Sequence, residues 1–266
     1  MSMRRASPGL CGLILLSATS LASADDIRIR ADPWLPYSGG SEMNPPGYMV
    51  EMAIAIAKAH GHTVQYRTMP WSNALEVVRE GSADCVVGAY LSDAEGFEFP
   101  KSGWGPSGNV FWGLAENPWR YTGVDSLANV RVGVIEEYSY GEDMDAYIKA
   151  HADDKARLEV VPAVGRGIVR LMARLIGKRI DTFIEDRSVL AYAVEQAKMD
   201  PARIISLGQA GEVESVYIAC TPADPRGRVY ADLFDQGTAE LRSSGKLAEI
   251  LSHYNLTDWE GAESAP

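Results

Sequence analysis

The fold of this chain is decided by residues 27–66, which read IRIRADPWLPYSGGSEMNPPGYMVEMAIAIAKAHGHTVQY. The short β-rich run at 27–30 predicts a strand. Between 48 and 60 apolar residues recur at the spacing of one helical face, and Gly61 provides a stop for that helix. Residues 63–66 predict a second strand. A strand, a helix and a strand in this order indicate a parallel sheet covered by helices.

The same alternation continues along the chain. A helix at 71–80 and a strand at 85–88 complete a first β-α-β-α-β half. In the second half, strands and helices are predicted in turn at 131–134, 143–150, 158–161, 167–175, 180–184 and 187–197. A strand at 215–219 and helices at 226–242 and 247–253 follow. We therefore predict an α/β protein with two mixed, mostly parallel sheets flanked by helices and divided into two lobes.

The two lobes are expected to be joined twice. Extended pieces at 109–113 and 212–217 would carry the chain from one lobe to the other and back. The first lobe would then hold 25–113 plus 214–266, and the second lobe 114–213. A double crossover makes a hinge, which permits closure around a ligand.

The first residues resemble a sorting signal rather than part of the fold. Arg4 and Arg5 precede an apolar stretch at 9–21, and Ala22-Ser23-Ala24 offers a small-x-small cleavage site. We expect a cleavable signal peptide at 1–24, cleavage after Ala24 and a periplasmic mature protein. A lipoprotein anchor at Cys11 is the alternative, although Pro8-Gly9-Leu10 makes a poor lipobox.

The charge of the chain limits its partners. The formal net charge is −11 at pH 7, and removing Arg4 and Arg5 with the signal peptide makes it −13. Such a charge argues against binding to nucleic acid and to anionic membrane surfaces. We expect a monomer.

Cysteines and histidines indicate neither a cofactor nor a metal. Cys85 and Cys220 lie in apolar, strand-like runs, and two buried free thiols are the favoured interpretation, although an oxidising compartment also permits a disulfide. His60 and His62 flank the helix-ending Gly61 and are expected at the surface.

Four segments carry a resemblance to a known family. They are WLPY at 34–37, PGYMVEMAIAIAKAHG at 46–61, WSNALEVVREGSAD at 71–84 and GKRIDTFIED at 177–186. In this order they resemble motifs of the type II periplasmic solute-binding proteins of the polar amino-acid ABC transporter class, family 3. The resemblance implies a type II two-lobed fold, a small-molecule ligand, a transient membrane ABC permease partner and no covalent chemistry.

Candidate ligand-binding residues follow from the fold. In open α/β sheets, ligands lie beyond the carboxyl ends of the strands. The residues predicted there are Trp34, Tyr37, Trp71, Gly88, Tyr90, Ser92, Ser139 and Asp186. The resemblance implies that Trp71 stacks on the ligand and that Asp186 accepts its amino group.

Most of these residues also have a structural explanation. Trp34 and Tyr37 would suit a packed turn, and Trp71 would suit a core position. Ser92, Ser139 and Asp186 would each suit a helix N-cap.

One departure from the family pattern bears on the ligand. After its third strand the family places an arginine that binds the ligand carboxylate, and here Glu95 stands in that place. Arg166 or Arg187 would have to substitute from the second lobe. Because the acids Glu136, Glu137, Glu185 and Asp186 lie nearby in the sequence, an amine or another cationic solute is compatible with this pattern, and so is a neutral solute.

Three functions are compatible with this sequence. The first is capture of an amino acid or amine-like solute and its delivery to an ABC permease for uptake. The second is a secreted dehydratase-like enzyme on the same fold, although no G-x-S-x-G, H-E-x-x-H, P-loop or G-x-G-x-x-G motif is present. The third is a freestanding ligand-sensing protein that docks on a membrane receptor.

Overall fold

A computed structural model describes residues 24–163 and 166–260. The predicted signal peptide, and with it the alternative anchor at Cys11, lies outside the described residues apart from Ala24. Among the helices of the described ranges, none combines the length and the apolar character that a membrane span needs.

The first sheet has four strands in the order β11-β3-β1-β2. These strands are β1 (Asp26–Ala31), β2 (Thr63–Thr68), β3 (Cys85–Ala89) and β11 (Tyr217–Cys220). β1 pairs parallel with β2 and β3, and β11 pairs antiparallel with β3. The helices of this half are α1 (Tyr48–Ala59), α2 (Trp71–Arg79), α6 (Arg226–Ser243) and α7 (Lys246–Ser252).

Close approach between α1 and α6 requires a glycine. A Cβ atom at Gly237 would lie 2.2 Å from Ile56 Cγ2, which is far inside van der Waals contact. Ile56 is 1 % exposed and belongs to the main apolar core of this half. The apolar face predicted for α1 is therefore buried between the sheet and the C-terminal helices.

The second sheet has five strands in the order β7-β6-β8-β5-β9. They are β5 (Asn109–Leu114), β6 (Val132–Ile135), β7 (Leu158–Val161), β8 (Thr182–Asp186) and β9 (Ile204–Gln209). The helices are α3 (Glu142–Ala150), α4 (Gly167–Ile176) and α5 (Arg187–Gln196), with 3₁₀ turns at Val124–Asn129 and Pro201–Arg203. Every residue of β6 and β8 is buried, as expected for central strands covered on both faces.

The chain crosses between the two halves in two places. The crossings are the short strands β4 (Pro106–Ser107) and β10 (Glu214–Ser215), which pair antiparallel with each other. The predicted two-lobed α/β fold with a double-crossover hinge is confirmed.

Two details of the second half differ from the sequence prediction. The piece predicted as a join at 109–113 is strand β5, which pairs antiparallel with β8 and β9. Because β5 belongs to the second sheet, the boundary between the two lobes would fall before Asn109 rather than after Gly113. Strand β9 was not predicted, because its alternating polar residues follow a turn at Pro201–Arg203 without a strong apolar run. The division into 25–113 plus 214–266 and 114–213 otherwise stays a prediction.

The expectation of two free thiols is wrong, because Cys85 and Cys220 form a disulfide. The two residues lie directly opposite each other on the antiparallel strands β3 and β11, with their Cα atoms 4.0 Å apart. This proximity could not be predicted from the sequence, because the two cysteines are 135 positions apart. The bond ties the C-terminal strand to the first half of the chain.

Loss of this disulfide should lower stability strongly. Because the bridge closes a loop of 135 residues, removing it should cost about 4 kcal/mol and lower Tm by about 8–15 °C. Thermal unfolding of the mature protein with and without reductant would measure this. The double variant Cys85→Ala/Cys220→Ala is the control, since its Tm should not respond to reductant. An equal Tm for the wild type under both conditions would contradict the prediction.

Candidate functional site

The carboxyl ends of strands from the two sheets face each other. Strands β1 and β3 of the first sheet end on one side of the gap, and strands β6 and β8 of the second sheet end on the other side. Hydrogen bonds between the two halves cross this gap. Trp34 Nε1 donates to Glu185 Oε1 over 3.2 Å, and the Tyr138 hydroxyl donates to Asp32 Oδ2. At the edge of the gap, Ser72 Oγ donates to Glu137 Oε2 over 2.6 Å. The interlobe cleft is therefore closed by direct contacts between residues of both halves.

The two aromatic residues after β1 have different positions. The rings of Trp34 and Tyr37 are stacked with centroids 4.1 Å apart. Tyr37 is 1 % exposed, and its hydroxyl donates to the Pro106 carbonyl. It is therefore a buried residue that packs under the ring of Trp34. Trp34 stays partly exposed and lies over Gly88, whose φ of 92° disfavours a side chain. Trp34 is thus the ring that a solute could contact.

Asp186 lies at the junction of β8 and α5, with both carboxylate oxygens in use. Oδ1 accepts from the backbone N–H groups of Ser188 and Val189 at 2.7 and 3.1 Å, which makes Asp186 the N-cap of α5. Oδ2 accepts from Gly108 N at 2.9 Å and Ser107 Oγ at 3.1 Å. Asp186 is 1 % exposed, and its role as the N-cap of α5 is confirmed, while its contact with a ligand stays a prediction.

Tyr90 belongs to the same hydrogen-bonded chain. Its hydroxyl lies 2.6 Å from Ser107 Oγ, which in turn donates to Asp186. Burial raises the pKa of the Tyr90 phenol, so this group stays a neutral donor and acceptor. Tyr90 therefore lines the hinge side of the cleft.

Ser92 and Ser139 lie farther out than the other candidates. Ser92 is exposed in a turn that no helix follows directly, so its explanation as an N-cap is wrong. Ser139 is exposed and donates to Asp145 Oδ2 over 2.6 Å. The N-cap of α3 is Gly141, so Ser139 is not the cap either.

Trp71 begins α2 and is partly buried against the small apolar cluster that contains Ala74 and Val78. This contact agrees with the alternative of a core position. The neighbouring Ser72 reaches Glu137 of the other half, so α2 begins at the rim of the cleft.

Asp32 is a site residue that sequence reasoning missed, and Glu185 was considered only as one of several nearby acids and not as a ligand-binding residue. Glu185 is 3 % exposed, and its Oε1 accepts from Trp34 Nε1 and from Asp186 N at 2.9 Å. Its Oε2 is buried and has no hydrogen-bond partner among the described residues. Asp32 is 6 % exposed and accepts from Tyr138. Alternation along β8 could have shown that Glu185 and Asp186 point to opposite sides.

Burial dominates the electrostatics of these two carboxyl groups. Removal from water raises the pKa of Glu185 to about 8, and the nearby charges of Asp186 and Asp32 add to the effect. Burial likewise raises the pKa of Asp32 to about 6, against the hydrogen bond from Tyr138. At neutral pH Glu185 is therefore mostly protonated, and Asp32 is mostly ionised.

The arginines expected to replace the missing family arginine lie elsewhere. The Arg187 guanidinium lies over the Trp112 ring, 5.9 Å from its centroid, and Arg166 is exposed at the start of α4. Neither pairs with Asp32, Glu185 or Asp186 within the described part of the chain. Glu95 is exposed, and its backbone carbonyl accepts from Arg79. Within residues 24–163 and 166–260, no group of three or more His, Cys, Asp or Glu side chains is placed to hold a metal ion.

The N-cap role of Asp186 gives a stability prediction. In Asp186→Ala four donors lose their acceptor, three of them backbone N–H groups, and the unfolding free energy should fall by about 2–4 kcal/mol. Urea unfolding would measure the loss. Asp200→Ala is the matched control, since Asp200 caps an exposed 3₁₀ turn through one hydrogen bond and should cost about 1 kcal/mol or less. Equal losses in the two variants would argue against the buried role.

The Glu185 carboxyl predicts a pH dependence of stability. Because its folded pKa is raised to about 8 from 4.5, the folded protein holds a proton that the unfolded chain releases. This contribution is present in full below about pH 4.5 and is lost as pH rises through 8. Glu185→Gln cannot ionise, so it should be more stable than the wild type by about 2–4 kcal/mol at pH 8.5 and should lose this advantage at pH 5.

Thermal unfolding across this pH range would check the prediction. The exposed Glu142→Gln serves as the control for the same change of side chain. It should leave the Tm close to that of the wild type at both pH values. A constant Tm difference between Glu185→Gln and the wild type at pH 5 and 8.5 would refute the role of this carboxyl.

Residues 27–95 match the model of a family described as bacterial extracellular solute-binding proteins, family 3. The matched part contains three of the four segments quoted for the resemblance. A comparison with curated protein sequences gives no significant match.

Several solved structures share the fold at low identity. A histidine kinase sensor domain with similarity to periplasmic binding proteins has a TM-score of 0.67 and 18% identity, over 86% of this chain and 95% of that one. An amino acid ABC transporter substrate-binding protein from Streptococcus pneumoniae, bound to L-arginine, has a TM-score of 0.63 and 18% identity, over 87% and 94%. An ancestral amino acid-binding protein that is a precursor of cyclohexadienyl dehydratase has a TM-score of 0.64 and 15% identity, over 86% and 94%.

These findings confirm the fold and the family resemblance. At such identities the structural likeness concerns the fold, while the sequence match concerns residues 27–95. The chain therefore has the fold of the periplasmic binding proteins, and over residues 27–95 its sequence is similar to that of the family 3 solute-binding proteins.

Proposed function

We propose that this chain is the periplasmic solute-binding component of an ABC uptake transporter, which binds a small polar solute, an amino acid or an amine, in the interlobe cleft. The observation that carries the proposal is the pair of hydrogen bonds across the cleft, from Trp34 to Glu185 and from Tyr138 to Asp32. They join the carboxyl ends of strands from both sheets, which is where α/β sheets bind ligands.

Binding would use closure of the two halves around the hinge. A solute that contacts both halves stabilises the closed arrangement, and the crossings at β4 and β10 let the halves separate for entry and release. Asp186 holds the hinge segment through Ser107 and Gly108, so it fixes the hinge relative to α5. We assign it to this positioning role in addition to the predicted contact with a ligand.

The ring of Trp34 is the proposed contact for the apolar part of a solute or for a cationic group. Gly88 beneath it and Tyr90 beside the hinge complete the wall from the first half. Tyr37 supports Trp34, and Trp71, Ser92 and Ser139 belong to the rim. The solute would leave unchanged, after transient docking on the membrane permease, because no step of this role breaks a covalent bond.

A thermal-shift screen tests the proposal. The probes are the common amino acids, their decarboxylated amines and short polyols at pH 8. A bound solute at 100 times its Kd should stabilise the protein by about 2.7 kcal/mol and raise Tm by about 5–10 °C. The solute should be recovered unchanged after incubation.

Two tryptophan variants separate binding from general stability. Trp34→Ala should abolish the ligand-induced rise of Tm, because it removes the ring that faces the cleft. Trp259→Ala is the matched control, since Trp259 is also partly buried but packs against Tyr48 and Arg242 of the first half and makes no described hydrogen bond to the second half. An equal ligand response in Trp34→Ala and wild type, or conversion of the solute to a product, would overturn the proposal.

A further inference from the structure

One carboxylate oxygen in the cleft lacks a partner. Of the described carboxyl groups, Glu185 alone has a buried oxygen without a hydrogen bond, Oε2, while its Oε1 accepts from Trp34 and from Asp186 N. Buried polar atoms are nearly always hydrogen-bonded, and an unsatisfied one costs about 1–3 kcal/mol. This oxygen is therefore placed to receive a donor that the protein itself does not supply.

The groups around this oxygen are acids and phenols. Asp32 follows β1 and Tyr90 follows β3 in the first half, and Tyr138 and Tyr140 follow β6 in the second half. Asp186 is the neighbour on the same strand. Asp93 adds its negative charge at Asp32. Apart from the N–H groups of Trp34 and Asp186 that bond Oε1, the described groups around Glu185 are carboxyl groups and neutral hydroxyls.

Such surroundings discriminate between solutes by charge. A carboxylate in the cleft would lie beside Asp32 and Glu185 without the arginine that could offset them. An ammonium or guanidinium group would instead supply N–H donors and a compensating positive charge. The ring of Trp34, which is stacked on Tyr37 and stays partly exposed, adds an aromatic group that attracts cations.

We propose that the cleft binds an organic cation that carries no carboxylate, with Glu185 Oε2 and Asp32 as its hydrogen-bond acceptors and the ring of Trp34 against its apolar part. This inference rests on the proposed function and specifies the chemical class of its solute. Decarboxylated relatives of the basic amino acids, such as agmatine, cadaverine and putrescine, represent this class.

Binding of the cation should release a proton from Glu185. At neutral pH the buried Glu185 carboxyl is mostly protonated, because burial raises its pKa to about 8. The cation needs the ionised form, so one proton leaves Glu185 for solvent as the cation enters. Below pH 8 the affinity should therefore rise about tenfold for each pH unit and should level off above it. Alkyl ammonium and guanidinium groups stay charged throughout this range.

Isothermal titration of the mature protein with matched pairs tests the proposal. The pairs are agmatine against arginine, cadaverine against lysine and putrescine against ornithine, each at pH 6, 7 and 8. We expect at least one amine to bind at least tenfold more tightly than its amino acid. Between pH 6 and 7 its affinity should rise about tenfold to twentyfold, because Glu185 and in part Asp32 must ionise, with about one to one and a half protons released per cation in buffers of different ionisation enthalpy.

Glu185→Gln should weaken amine binding at pH 8 at least thirtyfold and remove the pH dependence. Glu142→Gln is the matched control, since Glu142 is exposed in the first turn of α3 and takes no part in the contacts between the lobes described above, and it should bind as the wild type does. Should Glu185→Gln fail to fold, Asp32→Asn provides a second variant and should weaken binding at least tenfold.

The outcomes separate this inference from the proposed function. Tighter binding of the amino acid in all three pairs, or binding of a neutral solute alone, overturns the inference and leaves solute capture in place. An amine that binds equally well to Glu185→Gln also overturns the inference alone. The failure of every probe in both the titrations and the thermal-shift screen, with a folded protein, overturns both.

Discussion

The structure of the cleft depends on the hydrogen bonds of one buried carboxylate, Asp186. It joins the end of β8, the first turn of α5 and the hinge segment at Ser107 and Gly108. The first turn of α5 and the hinge segment each contain buried N–H or hydroxyl groups that need an acceptor, and the carboxylate of Asp186 accepts from all of them. With Asp186 turned towards the hinge, alternation along the strand turns Glu185 to the opposite side, where it meets Trp34 of the other half.

This arrangement places a second carboxyl where its charge is costly. Glu185 is excluded from water and is surrounded by acids, so it is neutral at pH 7 unless a cation compensates it. The closed contact between the halves and the protonation of Glu185 are therefore linked. In the proposed function, a solute that replaces the proton would act on the same contact that holds the halves together, and this would couple recognition to closure.

The order of strands and helices could be predicted from the sequence because each apolar period is a local property. The α1 helix and strands β1, β2 and β3 were predicted within two residues of their observed bounds. The predicted candidates divide by their surroundings, since Trp34 faces the cleft, Tyr37 lies beneath it and Ser92 and Ser139 are exposed. No local pattern distinguishes these positions, because burial depends on what the other half of the chain brings into contact.

The sequence by itself determined the α/β class, the two-lobed arrangement and the absence of the family arginine at Glu95, all of which depend on residue type and spacing. Tertiary structure decided the Cys85–Cys220 disulfide, the bonds of Asp186 to the hinge at Ser107 and Gly108 and the facing of Glu185 and Asp32 across the cleft. These last features join residues 78 to 151 positions apart, and such contacts arise only when both sheets are folded and packed.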